Sequence, residues 1–286
     1  MPADLSGPAP AKLNLVLEVT GRRADGYHEI ETVLQTLDLA DTVTIAPGEA
    51  PISVSGPYAQ GTPADTSNLA WRAAAALAAR TGRSIDGLGI RLEKAIPPAG
   101  GLGGGASDAA TVLRLLQTCW PEATDQILLD VAASIGSDEP ALVLGGTVLA
   151  AGRGEIVRPL STLPRHGVVL FVPRATLDRK TARMFAAIGK TAFDRGGLAR
   201  AFDGGSFSSA DVFNAFERVA FDLFPALAAL WEALEGRLGA PVRLAGAGPA
   251  LFWIGSVRQR DAVAAAAAGL DCGVIATATA GPLWKR

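Results

Sequence analysis

Apolar and polar side chains alternate along residues 12–19, with a single slip at Val16. A period of two is typical of a β-strand. Similar segments predict three further early strands, over residues 30–39, 42–46 and 88–94. Asp41 separates the first two of these, the polar run at 21–27 predicts a turn, and 51–63 predicts a loop. The first third of the chain is therefore expected to be rich in strands.

Segments of helical composition or spacing become frequent after residue 67. They predict helices over residues 68–80, 109–116, 124–135, 177–188, 211–218, 226–238 and 261–268. Strands are expected between them, over residues 147–151, 168–172, 242–244, 251–254 and 274–277. Thr66 and Ser67 are candidate caps of the first helix, which Gly82 closes. Residues 196–209, rich in glycine and serine, predict a loop.

This mixture of strands and helices predicts an α+β or α/β fold. A chain of 286 residues can form one large domain or two smaller ones. We expect two, with a boundary near residues 150–165 that divides the chain into 1–160 and 161–286.

Composition excludes several classes of protein. Hydrophobic residues make up 49% of the chain and charged residues 19%, so it is not intrinsically disordered. A net charge of −2 disfavours a general nucleic-acid binder. Cys119 and Cys272 are too few for a disulfide scaffold and favour the cytoplasm. The first ten residues do not read as a secretory signal, and no apolar run is long enough for a membrane helix.

The strongest chemical signal is a glycine-rich stretch between a predicted strand and a predicted helix. It consists of Pro97, Pro98, Ala99, Gly100, Gly101, Leu102, Gly103, Gly104, Gly105, Ala106 and Ser107. Glycine lets the backbone approach a ligand closely, and a helix beginning there offers free N–H groups, so the stretch predicts a phosphate site. A flexible loop that caps the helix is the alternative. No Walker A lysine follows, and no clean dinucleotide-binding fingerprint is present.

Three other positions are candidates for chemistry. Lys12 opens an apolar strand and is either half-buried beside an anion or exposed at the strand end. Asp138 follows an apolar helix and either faces a cleft or caps the next helix. Small residues at 245–250 either permit close backbone approach or form a plain hairpin turn.

Several motifs occur together and in order. They are PAKLNL at 10–15, RADGYH at 23–28, GLGGGASDAA at 101–110, GSDEP at 136–140 and GAG at 246–248. As a set they resemble the GHMP kinase superfamily, whose members phosphorylate small-molecule alcohols. The likeness is dense over residues 9–152 and thinner beyond, where it includes Phe213 and Asn214. Within the superfamily the chain is most similar to the kinases of a cytidyl-diphosphate-linked methylerythritol.

The resemblance implies a two-domain α+β fold with the active site in the interdomain cleft. It implies ATP-dependent phosphorylation of the substrate's 2-hydroxyl, in non-mevalonate isoprenoid biosynthesis, with Mg²⁺ accompanying ATP and no dedicated protein metal site. By motif position, residues 97–107 bind the ATP phosphates. The other expected site residues are the catalytic pair Lys12 and Asp138 and the substrate contacts Asn14, Tyr27, His28 and Phe185. The expected partner is the small-molecule substrate, with no nucleic acid or membrane, and the chain is expected to be a monomer or weak homodimer.

These roles agree with the chemistry of phosphoryl transfer. The acceptor hydroxyl needs a carboxylate to take its proton, which suits Asp138, and Lys12 can screen charge on the transferring group. Glu139, beside Asp138, either influences that carboxylate, binds Mg²⁺ or points to solvent. Two alternatives remain: a homoserine or mevalonate-type kinase of the same superfamily, and an inactive nucleotide sensor.

Overall fold

Two β-sheets with packed helices form the framework of the computed structural model, which describes residues 4–48, 50–175, 177–189, 192–205 and 207–283. The strands are β1 (Leu5–Arg22), β2 (His28–Pro47), β3 (Ile52–Ser55), β4 (Leu88–Glu93), β5 (Thr147–Gly152), β6 (Ile156–Pro159), β7 (Gly167–Pro173), β8 (Phe213–Asn214), β9 (Arg243–Leu244), β10 (Leu251–Gly255) and β11 (Cys272–Ala278). This mixture confirms the predicted α+β class. The division into domains at residue 160 stays a prediction.

The helices pack against these sheets. They are α1 (Leu69–Thr81), α2 (Gly104–Gln117), α3 (Asp125–Ile135), α4 (Glu139–Leu144), α5 (Lys180–Ile188), α6 (Leu198–Ala201), α7 (Glu217–Leu223), α8 (Pro225–Leu238) and α9 (Arg260–Ala266). None within the described ranges is long and apolar enough to cross a membrane. Residues 1–3 belong to the segment considered above as a possible secretory signal, and they lie outside the described residues. Ser206, in the loop predicted over residues 196–209, also lies outside them.

The larger sheet has the order β3-β4-β2-β1-β8, with β5 paired to β2 and β6 to β5. The smaller sheet has the order β11-β7-β10-β9. Strand β1 is buried from Ala9 to Val19 because helices cover part of it and elements from the second half cover the rest. The alternating side chains of β1 therefore point to two buried faces, rather than to one buried and one solvent-exposed face. The slip at Val16 coincides with a register shift between Asn14 and Val16, where the strand bulges.

Several local predictions are corrected, among them the loop predicted over residues 196–209, which contains the short helix α6. Strand β2 runs through Asp41 without a break, because this carboxylate is buried in an ion pair rather than placed in a turn. Strand β3 lies within the predicted loop 51–63, and β8 replaces the first part of the helix predicted over 211–218. Asn68, not Thr66 or Ser67, caps α1 by accepting a hydrogen bond from the Ala70 N–H at 2.9 Å.

A buried ion-pair cluster joins the larger sheet to the glycine-rich stretch. The Lys94 ammonium contacts the carboxylates of Asp41 and Asp108, and all three side chains are buried. Asp41 also accepts hydrogen bonds from the backbone of Ala95 and Ile96 at 2.6 and 2.8 Å. Burial raises the pKa of Asp108 to about 7, and the neighbouring Asp41 acts in the same direction. Asp108 thus anchors α2 from within rather than capping its start.

Lys94→Met should lower the free energy of unfolding by about 3–5 kcal/mol, because it leaves two buried carboxylates without their cation. Urea denaturation followed by circular dichroism would measure this change. Arg91→Met is the matched control: Arg91 lies on β4, which ends just before Lys94, and its pair with Asp4 is exposed. The control should change stability by less than about 1 kcal/mol. Equal effects of the two substitutions would contradict this account of the cluster.

Candidate active site

A cleft of ≈ 1310 Å³ brings together residues that are distant in the sequence. Its walls come from β1, the turn before β2, the glycine-rich stretch, the start of α4, helix α5 and the connection between β9 and β10. All but one of the site residues expected from the sequence line it. The exception is Ser107, which is buried in the first turns of α2.

Lys12 and Asp138 meet in this cleft. The Lys12 Nζ lies 3.2 Å from Asp138 Oδ2 and donates a hydrogen bond to Asn14 Oδ1 at 2.7 Å. Asn14 is itself oriented, because its Nδ2 donates to Thr32 Oγ1 at 2.9 Å. Lys12 is only 4% exposed, while the Asp138 side chain is 37% exposed and faces the cleft. The arrangement therefore presents a fixed ammonium beside a carboxylate that a ligand can reach.

Asp138 occupies the N-cap position of α4 without making the expected capping bond. Its side chain pairs with Lys12 instead, so the simple capping interpretation is wrong. The neighbouring Glu139 is 4% exposed, so it does not point to solvent. Burial, and to a lesser extent the negative charge of Asp138, raise the pKa of Glu139 to about 7. Two carboxyl groups with different environments thus lie side by side at the cleft.

The glycine-rich stretch ends in the N-terminus of α2. Helix α2 begins at Gly104, five residues earlier than predicted, with Gly103 as its N-cap at φ 74°. The first N–H groups of a helix have no partner within it and carry the positive end of its dipole. Ser107 Oγ is buried and has no hydrogen-bond partner among the described residues. This end of α2 can therefore bind an anion.

The connection between β9 and β10 packs directly on the glycine-rich stretch. A Cβ added to Gly101, where φ is 87°, would lie 2.0 Å from the Ala245 carbonyl oxygen. A Cβ added to Gly246 would lie 3.2 Å from the Lys12 Nζ. Asn214 holds this connection by donating to the carbonyls of Leu244 and Gly246 at 2.9 and 2.8 Å. The connection is thus both a hairpin turn and a wall of the cleft.

An aromatic cluster forms the other end of the cleft. The rings of His28 and Phe185 stack, with centroids 4.9 Å apart and an interplanar angle of 19°. Phe185 packs edge-on against Phe216 at 4.8 Å. His28 Nε2 is buried with no partner among the residues described, and burial lowers the pKa of His28. Tyr27 is 53% exposed and lies under the Arg153 guanidinium, which is 5.1 Å from the ring centroid.

Sequence reasoning missed Lys180. This residue begins α5, lines the cleft and donates to the carbonyl oxygens of Ala99, at 2.5 Å, and Gly248. No local pattern distinguishes it, because its partners lie 81 and 68 residues away in the sequence. The only available signal is compositional, since lysine is rare beside arginine in this chain.

Among the residues that the structure describes, no group of three or more His, Cys, Asp or Glu side chains could hold a metal ion. Cys119 and Cys272 are both free thiols.

Comparison with known proteins gives a consistent assignment. Residues 68–146 match the model of the GHMP kinases N terminal domain. A 4-diphosphocytidyl-2-C-methyl-D-erythritol kinase from Gloeobacter violaceus is 39% identical over 297 aligned residues, which cover 97% of this chain and 96% of that protein.

One solved structure supports the same assignment, and a second supports the fold. A crystal structure of 4-(cytidine 5'-diphospho)-2C-methyl-D-erythritol kinase is 34% identical, with a TM-score of 0.76, over 96% of this chain and 99% of that one. The mevalonate kinase of Methanococcus jannaschii has a TM-score of 0.67 over 98% of this chain and 99% of its own, at 14% identity. This second likeness shows the fold alone.

Proposed function

Because the chain belongs to the 4-diphosphocytidyl-2-C-methyl-D-erythritol kinases of the GHMP kinase family, we propose that it transfers the γ-phosphoryl group of ATP to the 2-hydroxyl of 4-diphosphocytidyl-2-C-methyl-D-erythritol. We further propose that Lys12 and Asp138 are its catalytic pair. The observation that carries this proposal is their 3.2 Å contact beside the N-terminus of α2.

The geometry supports a division of roles between the two residues. Asp138 is accessible from the cleft and accepts the proton of the attacking hydroxyl. Lys12 is held by Asn14 on one side and Asp138 on the other, so its charge is fixed where negative charge develops on the transferring group. Such transfer depends mainly on positioning and electrostatic stabilisation. The backbone N–H groups of residues 103–106 bind the nucleotide phosphates.

Oxygen donors near α2 and α4 fit Mg²⁺, which prefers oxygen ligands and usually binds through one or two protein groups together with substrate phosphates. The Glu139 carboxylate lines the cleft, and Ser107 Oγ is buried without a partner among the described residues. Of the two, Glu139 would hold the ion, because Ser107 does not line the cleft. When bound, Mg²⁺ neutralises charge on the nucleotide phosphates.

The aromatic cluster suits a cytosine base. A planar base stacks on Phe185 or Tyr27, and the unpartnered Nε2 of His28 supplies a hydrogen bond to the base edge. His28 and Phe185 already stack on each other, so a base bound beside them meets a preformed aromatic surface.

His28→Ala should raise the KM of the cytidyl substrate about 10-fold or more and leave the KM of ATP nearly unchanged, since a hydrogen bond and a stacking partner are lost. Steady-state kinetics with each substrate varied in turn would measure this. His166→Ala is the control, because His166 lies outside the cleft lining. An equal rise in both KM values would refute a contact between His28 and the base.

The proposed activity is tested by ADP release coupled to a reporter reaction, with three acceptors supplied separately: 4-diphosphocytidyl-2-C-methyl-D-erythritol, homoserine and mevalonate. Turnover of the first alone is expected. Turnover of homoserine or mevalonate without it would favour the runner-up kinases. Nucleotide binding with no ADP release under any acceptor would favour a nucleotide sensor. Cytoplasmic location and a monomer or weak homodimer remain predictions.

A further inference from the structure

Lys180 occupies an unusual electrostatic position in the cleft. Its ammonium group donates to two neutral carbonyl oxygens, those of Ala99 and Gly248, and within the described part of the chain it makes no salt bridge. An ammonium has three donors, so one remains after these two bonds. A half-buried cation without an anionic partner is costly unless a ligand supplies the missing charge. Lys180 is therefore prepared to bind an anion.

Backbone strain is concentrated at the same contact. Outside glycine, two described residues have a positive φ: Ala99, at 57°, and Arg179, at 46°. Ala99 supplies one carbonyl that Lys180 contacts, and Arg179 immediately precedes Lys180. Residues other than glycine rarely adopt a positive φ, and backbone strain of this kind is often found at ligand-binding sites. Strained backbone thus occurs at the acceptor of this hydrogen bond, Ala99, and next to its donor, Lys180.

The surroundings of Lys180 place it near the reacting groups. Lys12, on β1, and Asp138, before α4, are the charged groups that face it from the neighbouring elements, and both influence its titration. The glycine-rich stretch and the connection between β9 and β10 face it with carbonyls only. Arg179 and Arg183, on its own segment, are exposed. Burial, followed by the charge of Lys12, lowers the pKa of Lys180 to about 8.

We propose that Lys180 is a further phosphate-binding residue of this site. It bridges the glycine-rich stretch and the connection between β9 and β10, and it directs its free donor at a phosphate in the cleft. The proposal rests on the proposed kinase function. Two ligands carry the required chemistry, the triphosphate of ATP and the diphosphate of the cytidyl substrate. Lys180 would supply a second protein cation at the point of transfer, from the second half of the chain, whereas Lys12 comes from the first.

Calorimetric titration of the full chain tests this proposal, with a non-hydrolysable ATP analogue and, separately, cytidine 5′-diphosphate. Lys180→Met should lower the affinity for one of the two ligands by about 10- to 100-fold, as expected for a lost charge-assisted hydrogen bond. The weakened ligand identifies which phosphate is bound. Arg183→Met removes the same charge from an exposed position of α5 and should change neither affinity. Binding of both ligands by Lys180→Met within about twofold of the wild type would overturn the proposal.

A pH series separates a charge contribution from a structural one. Wild-type affinity for the weakened ligand should fall as pH rises above about 8, because the ammonium loses its proton. Lys180→Arg stays charged throughout and should lack this decline, while any titration of Glu139 persists in both proteins. A decline of equal size in both proteins would overturn the proposal. Failure of the wild type to bind either ligand would instead contradict the proposed function itself.

Discussion

Asp138→Asn is expected to lower kcat by about 10³-fold while leaving the affinity for ATP within a few-fold of the wild type. Its carboxylate lies 3.2 Å from the Lys12 Nζ and is accessible from the cleft, and in the proposed mechanism it acts on the acceptor hydroxyl rather than on the nucleotide. An amide cannot accept the hydroxyl proton, although it has nearly the same shape. Single-turnover phosphoryl transfer and equilibrium nucleotide binding would measure the two effects separately.

Asp222→Asn is the matched control for this substitution, because Asp222 is exposed on α7 and lies outside the cleft lining. The control should retain wild-type kcat. Weak ATP binding with normal turnover in Asp138→Asn would show that the carboxylate serves the nucleotide instead. A normal kcat together with a normal ATP affinity in Asp138→Asn would show that Asp138 is not a member of the catalytic pair.

Gly101→Ala should disrupt the cleft more than a glycine-to-alanine substitution at any other position of the glycine-rich stretch. The new Cβ would lie 2.0 Å from the Ala245 carbonyl oxygen, and φ is 87° at this position. The Ala245 carbonyl belongs to the backbone and cannot move aside as a flexible side chain can. The glycine-rich stretch must therefore separate from the connection between β9 and β10. We expect a loss of about 2–5 kcal/mol of stability from strain and overpacking together. Nucleotide affinity should fall as well, because this contact holds the phosphate-binding backbone in place.

Thermal denaturation and nucleotide titration would measure these two effects. Gly236→Ala is the control: it lies in α8, and an added Cβ would meet nothing within 4 Å. This control should raise stability by about 0.5–1 kcal/mol, since alanine favours the helix. Wild-type stability and affinity in Gly101→Ala would show that the close approach of the two segments is not required.

Local patterns predicted most of the regular elements, and the resemblance to the GHMP kinases supplied most of the expected site residues. The alternation over residues 12–19 identified β1, and even its slip at Val16 corresponds to a real bulge. The glycine density at 100–105 predicts an anion site at the start of a helix because glycine and a helix N-terminus act over a few residues, although α2 begins five residues before the predicted start. Such features are encoded by neighbours in sequence.

Errors arose where distant contacts override local preference. Asp41 resembles a turn residue, yet β2 continues through it because Lys94, 53 residues away, compensates its charge. The two residues of β8 have no periodicity of their own and form a strand only because β1 offers a parallel partner. Glu139 was compatible with solvent exposure until the packing of α4 showed it buried.

The sequence by itself indicated the α+β class and predicted a phosphate site at residues 97–107, and its resemblance to the GHMP kinases supplied the residues proposed for catalysis. The first two follow from residue chemistry and short-range spacing, whereas the catalytic residues follow from their positions in motifs that resemble those of the family. Only the tertiary structure decided that Lys12, Asp138 and Lys180 share one cleft, since their convergence depends on contacts across more than 100 positions. Local sequence does not specify the distances between such residues, because those distances are set by how the two sheets and their helices pack together.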